Sequence, residues 1–274
     1  MTHSPMCLPN NCRISMLMRL SDLIYPSITQ QIGKHPMSRQ EVCTDPESGL
    51  PVGPSVEGPP AIHPGHFTLK GRLVTIVPLD PAAHGQVLFE TTSRGQEKHE
   101  LWQYMLDGPW ETRESFQKAL VEKSTMQDPV FHTILSAESS LPLGMASYLN
   151  IKPEQRAIEI GSILYSKKLQ RTAAATEAMY LMAKHAFETL HYRRYEWKAN
   201  ELNQPSLRAA ARLGFVYEGV FRNHMIVKGR SRNTAWFSIT DAEWPDRKAA
   251  LEEYLAEENF GADGQQIEPL RRII

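Results

Sequence analysis

Cysteine is scarce in this chain, and its placement excludes more than its number does. Cys7, Cys12 and Cys43 all fall within the first 43 residues. The rest of the chain therefore has no disulfide framework, no cysteine-rich zinc site and no cysteine nucleophile. A reducing compartment is the expectation, and the cytoplasm is the assignment. An excess of either charge is also missing: 30 Lys and Arg against 31 Asp and Glu leave a net charge of -1. Neither nucleic acid nor an acidic membrane surface gains an electrostatic hold from that balance, and neither is expected as a partner. The longest apolar stretch, ISMLMRLSDLI, is interrupted by Arg19 and Asp22 and falls short of the ~20 residues that cross a bilayer as a helix. GxSxG, HExxH, GxGxxG and GxxxxGK[ST] motifs do not occur, which removes the common hydrolase, zinc-protease, dinucleotide and P-loop readings. No metal site and no internal repeat are expected.

The 274 residues allow one or two domains, and a hydrophobic share of 41% suffices for a sizeable core. Ten of the 19 prolines precede residue 65, and polar residues alternate with Pro and Gly from Lys34 to Pro64. Residues 1–64 are therefore expected to form a disordered extension. Its first 40 residues carry Arg13, Arg19, Lys34 and Arg39 against Asp22 alone. That bias suits either a mitochondrial presequence or a floppy extension ahead of a true start at Met37.

The folded part is expected to begin at Phe67, with a strand in LKGRLVTIVPL. Helical patterns follow over Pro81 to Thr91 and Thr112 to Lys123, the second with Phe116, Leu120 and Val121 on one side. Between them DGPWETRE makes a turn in which Trp110 either meets substrate or simply packs. VFHTILSA, PLGMASYLNI and AIEIGSILYS read as three strands joined by hairpin turns. RRYEWKA alternates Tyr195, Trp197 and Ala199 against Arg194, Glu196 and Lys198, a half-buried strand. Asn203 and Pro205 open a helix that Gly214 closes. Two strands then pair around Lys228, Gly229 and Arg230, and a last helix runs from Asp241 to about Ala256, leaving 259–274 as a flexible tail.

The segment from Ile158 to Glu177, IEIGSILYSKKLQRTAAATE, carries the most chemistry. At period two Ile158, Ile160 and Leu164 share one face, with Glu159, Ile163 and Tyr165 on the other, as in a central strand. After a short loop, Ala175, Met179, Met182, Ala186 and Leu190 recur at helical spacing, with Glu177, Lys184 and Glu188 assigned to the wet face. The helix start, Thr172 to Thr176, is built of small residues. Its unpaired N–H groups and positive dipole end are left open to an anion, as in a pyrophosphate seat, although a helix start rich in Ala has the same composition without any ligand.

QRTAAATEA resembles the acetyl-CoA loop of the GNAT superfamily of N-acyltransferases, whose pattern is Gln or Arg, two residues, Gly, one residue, Gly or Ala. Gln170, Ala173 and Ala175 take the three patterned positions. Ala173 stands where the family most often has Gly, and a positive φ there would strain it. IEIG ahead of the loop, EA behind it, NQPSLRAAARLGF and GRSRNTAWFSITDAEWP are similar to the branch that contains the ribosomal-protein-alanine N-acetyltransferases. The likeness spans roughly Phe67 to Pro245.

The resemblance implies an α/β (α+β) GNAT fold over residues 65–258, with a mixed, largely antiparallel sheet whose splayed central strands are flanked by helices. It implies acetyl-CoA as co-substrate and a primary amine as acceptor, either a protein N-terminus or a small molecule. Backbone groups of Ile163, Leu164 and Tyr165 would bond the pantetheine arm, one N–H polarising the thioester carbonyl as an oxyanion hole does. Gln170, Arg171, Thr172, Ala173, Ala174, Ala175 and Thr176 would hold the pyrophosphate, Arg171 acting as a charged clamp. Asn203 would bond the pantetheine, and Ser206 would hold a water near the reacting centre. The same two residues are equally explained as a helix cap and a first-turn serine. Where many relatives have a tyrosine acid this chain has Ala210, leaving solvent or Ser206 to protonate the thiolate.

For the general base, Glu159 matches the glutamate of the branch's EIG motif, and partial burial would raise its proton affinity. Pairing with Arg156 is the ordinary alternative. His224 is the second candidate, since imidazole is the side chain that changes charge near neutral pH. Arg208 and Arg212, one helical turn apart, either meet the 3′-phosphate of CoA or form a solvated face. A catalytically silent CoA-binding module, serving as sensor or partner-binding protein, is the alternative function, motivated by Ala173 and Ala210.

Overall fold

A computed structural model describes residues 41–96, 98–261 and 266–270. The chain divides into two compact units, Met1–Val56 and Glu57–Ile274. In the first, the described residues form a two-strand hairpin of β1 (Cys43–Thr44) and β2 (Pro51–Val52), all four exposed. The presequence segment and Met37 lie outside the described residues.

The second unit is built on one eight-strand sheet. Its strands are β3 (Leu69–Lys70), β4 (Val74–Pro78), β5 (Val130–Ser136), β6 (Pro142–Lys152), β7 (Ala157–Tyr165), β8 (Arg194–Asn200), β9 (Val216–Val227) and β10 (Arg230–Thr240). They lie in the order β3-β4-β5-β6-β7-β8-β10-β9, and every pair is antiparallel except β7 with β8. On one face lie α1 (Pro81–Thr92), α2 (Lys98–Trp102) and α3 (Arg113–Ser124), burying Leu88, Trp102, Phe116 and Leu120 against Phe131, Met145 and Leu164. On the other, α4 (Ala173–Lys184) and α6 (Trp244–Leu255) set Met179, Trp244 and Leu251 against Ile160, Tyr195 and Ile239. Between β8 and β9 runs α5 (Gln204–Arg212).

Segment 57–64, assigned to the disordered extension, belongs to this second unit. Ala61 and Ile62 donate backbone hydrogen bonds to Pro153 O at 3.0 Å and Leu190 O at 2.9 Å. Nor does the unit end at 258. Gln266 pairs with Phe260, and Glu268 N donates to Asn259 Oδ1 at 2.7 Å.

Three sequence readings change in the structure. Val121 is half exposed and Ala119 takes the inward position beside Phe116 and Leu120. Glu177, assigned to the wet face of α4, is buried, because its carboxylate accepts the N–H groups of Arg72, Leu73 and Val74 at 2.9, 2.7 and 2.8 Å. The third change lies in β7. There the register slips between Met145↔Leu164 and Ser147↔Gly161, so two β7 residues, Ser162 and Ile163, oppose Ala146 alone, with Ser162 at a φ of 48°. Such a bulge inverts the alternation beyond it. Ile158 and Ile160 face α4 as read, but Leu164 turns to the α1–α3 side, and Tyr165 takes the α4 side.

Candidate active site

The site begins where a parallel pairing stops. β7 and β8 are matched only at Ala157↔Arg194, Ile158↔Tyr195 and Glu159↔Glu196. Beyond Glu159 and Glu196 the rest of both strands is unpaired toward the other, while β7 continues along β6 to Tyr165 and β8 continues along β10 to Asn200. The result is a gap in the middle of the sheet, with unspent backbone polar groups on both sides.

At the wide end of this gap stands the N-terminus of α4. Thr172 is its N-cap, accepting from Ala175 N at 3.1 Å. The backbone N–H groups of Arg171, Thr172, Ala173 and Ala174 have no partner among the described residues. No large side chain grows from this turn, so the donors and the dipole end remain open to an anion. The positive φ of the loop falls on Arg171, at 63°, whereas Ala173 is the first helical residue. The missing glycine therefore costs no backbone strain at Ala173.

Several predicted loop residues hold the loop itself. Gln170 donates from its backbone N–H to Ser166 O at 3.1 Å and from Nε2 to Tyr165 O at 3.1 Å. Thr176 Oγ1 accepts from Arg212 Nη2 at 2.8 Å, which ties α5 to the first turn of α4. Arg212 is thus beside the first turn of α4; Arg208 is exposed. Across the gap Asn203 caps α5, accepting from Ser206 N at 3.3 Å, and Ser206 Oγ accepts from Trp197 Nε1 at 3.0 Å. Ala210 is fully buried.

Glu159 lies at the closed end of the gap, 5% exposed. Its Oε2 takes hydrogen bonds from Asn150 Nδ2 at 2.6 Å and Lys198 Nζ at 2.8 Å. Burial raises its proton affinity above the ordinary carboxylate range, and Lys198 and Asn150 oppose that rise. Oε1 has no partner among the described residues. Gly161, next on the same face, keeps its approach open: a Cβ there would lie 3.4 Å from Oε1 and 2.9 Å from Leu149 Cδ2. Arg156, the ordinary pairing expected for Glu159, instead donates from Nη2 to Glu57 O at 2.7 Å.

His224 is not brought to Glu159. It lies on β9, three strand spacings from β7, or roughly 14 Å, with Nδ1 3.0 Å from Thr234 Oγ1 and its ring 6.1 Å from Trp236. Trp110 packs against the α1–α3 core. Sequence reading missed Asn150, Lys198 and Trp197. The alternation in RRYEWKA does place Lys198 with Glu196, but no local signal says which β7 residue they meet.

Residues 74–216 match the family model described as an acetyltransferase (GNAT) domain. The chain belongs to the GNAT acetyltransferase family. This GNAT chain is 40% identical to a GCN5-related N-acetyltransferase from Brucella melitensis, with a TM-score of 0.75 over 78% of this chain and 96% of that one. A GNAT-family structure from Chromobacterium violaceum ATCC 12472 aligns at 34% identity and a TM-score of 0.66, over 72% and 99% of the two chains. YdaF of Bacillus subtilis (strain 168), provisionally named a ribosomal N-acetyltransferase, is 26% identical over 186 residues, 66% of this chain and 100% of its own. The expected GNAT fold, with its mostly antiparallel sheet flanked by helices, is the fold found. Among the described residues no helix is long and apolar enough to cross a membrane.

Proposed function

We propose that this protein transfers an acetyl group from acetyl-CoA directly to the primary amine of an acceptor. The observation that carries the reading is the parting of β7 and β8 beyond Glu159 and Glu196 beside the uncovered N-terminus of α4. The diphosphate of CoA would sit on the N–H groups of Arg171 to Ala174, and its arm would lie in the gap, using backbone groups of Ile163 to Tyr165. The amine nitrogen then bonds to the thioester carbonyl carbon as the carbon–sulfur bond breaks. Glu159, through Oε1 or an intervening water, accepts the proton that the amine gives up. The departing thiolate receives a proton from Ser206 or solvent. Placement of the two reactants supplies much of the rate, since effective molarities of roughly 10⁵ M or more are reached in well-oriented systems.

The ribosomal acceptor in the name of YdaF favours a protein N-terminus over a small amine. The acetyltransferase names of the relatives weigh against a catalytically silent CoA-binding module. The test is CoA thiol release from acetyl-CoA with N-terminal peptides and small amines, comparing the native protein with Glu159→Gln. Thiol release by the native protein that Glu159→Gln loses is the expected result. A melting temperature that acetyl-CoA leaves unmoved would sink the reading at its first step.

A further inference from the structure

Where backbone pairing between β7 and β8 ends, one ammonium takes its place. Lys198 Nζ lies 2.8 Å from Glu159 Oε2 on β7 and 2.7 Å from Glu196 Oε2 on its own strand, and sits 4.1 Å from the centre of the Trp236 ring. Its cross-strand neighbour on β10 is Trp236, so the aromatic face forms its floor. Lys198 is therefore held on three sides. We propose that Lys198 is a positioning residue for acetyl transfer: by bridging Glu159 to Glu196 at the closed end of the gap, it fixes Glu159 with Oε1 turned into the cleft.

The geometry supports that role over an incidental surface pair. The lysine side chain is 11% exposed and that of Glu159 7%, so the pair is shielded from the solvent screening that weakens most surface ion pairs. Both bonds to Glu159 go to Oε2, one from Lys198 on β8 and one from Asn150 on β6. Two donors from two strands on one oxygen restrict the carboxylate's rotation, and its second oxygen lies beside Gly161, which has no side chain. The charged groups that face Glu159 are Lys198 and Glu196 from β8 and Arg232 from β10. Arg194 balances Glu196 at 2.7 Å and continues to Glu218 at 2.6 Å. Glu196 therefore keeps a cation when Lys198 is removed, and Glu159 is the carboxylate that loses its direct ionic partner.

The proposal rests on Glu159 being the base, and the experiment separates the two. The full chain is prepared as native protein, Lys198→Met, Lys198→Arg and Glu159→Gln. The Glu159 side-chain carboxyl is titrated by NMR in ¹³C-glutamate-labelled protein, with Glu159→Gln giving the assignment. The pH dependence of kcat/KM is measured with N-terminal peptide acceptors, and KM for acetyl-CoA is recorded alongside. Lys198→Met should raise both the titration midpoint and the acid limb of the rate profile by about 1–3 units, the range that an adjacent opposite charge produces. KM for acetyl-CoA should stay unchanged, and Lys198→Arg should restore both midpoints. A uniform loss of rate with unmoved midpoints in Lys198→Met, while Glu159→Gln is inactive, overturns the role of Lys198 alone. Full turnover by Glu159→Gln overturns the base assignment and the proposal with it.

Discussion

Ser206 Oγ accepts the indole N–H of Trp197 at 3.0 Å, joining the first turn of α5 to the strand that borders the gap. Because Trp197 donates, the hydroxyl proton of Ser206 is not spent on that bond. A group whose oxygen is anchored and whose proton has no acceptor among the described residues suits, in the proposed reaction, donation to the departing thiolate.

Ser206→Ala should therefore lower kcat by about 10²-fold with little change in KM for acetyl-CoA. It also orphans the largely buried indole N–H, at roughly 1–3 kcal/mol. Trp197→Phe removes the donor, leaves the Ser206 hydroxyl in place with no buried N–H to satisfy, and should retain more activity. Steady-state kinetics and thermal unfolding of both variants distinguish the two effects; equal kcat in Ser206→Ala and the native protein would remove Ser206 from the reaction.

Ala174→Glu tests the anion seat. A carboxylate in the first turn of α4 favours the helix dipole, so the free protein should melt at the same temperature or slightly higher. The same carboxylate repels a diphosphate and fills its space. Acetyl-CoA at ~100 times its Kd should stabilise the native protein by roughly 2.7 kcal/mol, and Ala174→Glu should lose that gain in a thermal-shift assay.

Glu177 pins the start of β4 to α4 through three backbone N–H groups. Glu177→Gln can keep the bond at Oε1 from Arg72 but turns one of its former oxygens into a donor, facing Leu73 and Val74. A loss of about 1–3 kcal/mol is expected. Gly71→Ala should destabilise as well, since its Cβ would collide with Glu177 Oε2. Chemical denaturation measures both.

His132 is fully buried, stacked on Phe67 at 3.8 Å, and burial depresses its pKa from 6.5 to about 3. The native state keeps the ring neutral while the unfolded chain takes up a proton below pH 6.5. Its contribution to stability is thus complete above pH 6.5 and is lost as the pH falls toward 3, at up to about 1.4 kcal/mol per pH unit. Urea unfolding between pH 7.5 and 5 should show this slope, to which His84 and His185, also depressed by burial, add, and His132→Phe should reduce it.

Much of the fold was legible in the sequence because period and punctuation are local. The alternation of Tyr195, Trp197 and Ala199, the Asn203 cap and the small residues of Thr172 to Ala175 each follow from neighbours within one turn or strand. The period-two reading of β7 failed at Leu164, because a bulge is an event of pairing, and Ser162 and Ile163 carry no mark of it.

The sequence by itself determined a helix start built of small residues and the strand that leads to it, because cap and period are read within one turn or strand. Only the tertiary structure decided what Glu159 is. Its partners, Asn150 and Lys198, come from the strands on either side, and the gap beside it exists because β7 and β8 stop pairing. Register and splay are properties of two chains of atoms brought together, and no single stretch of residues contains them.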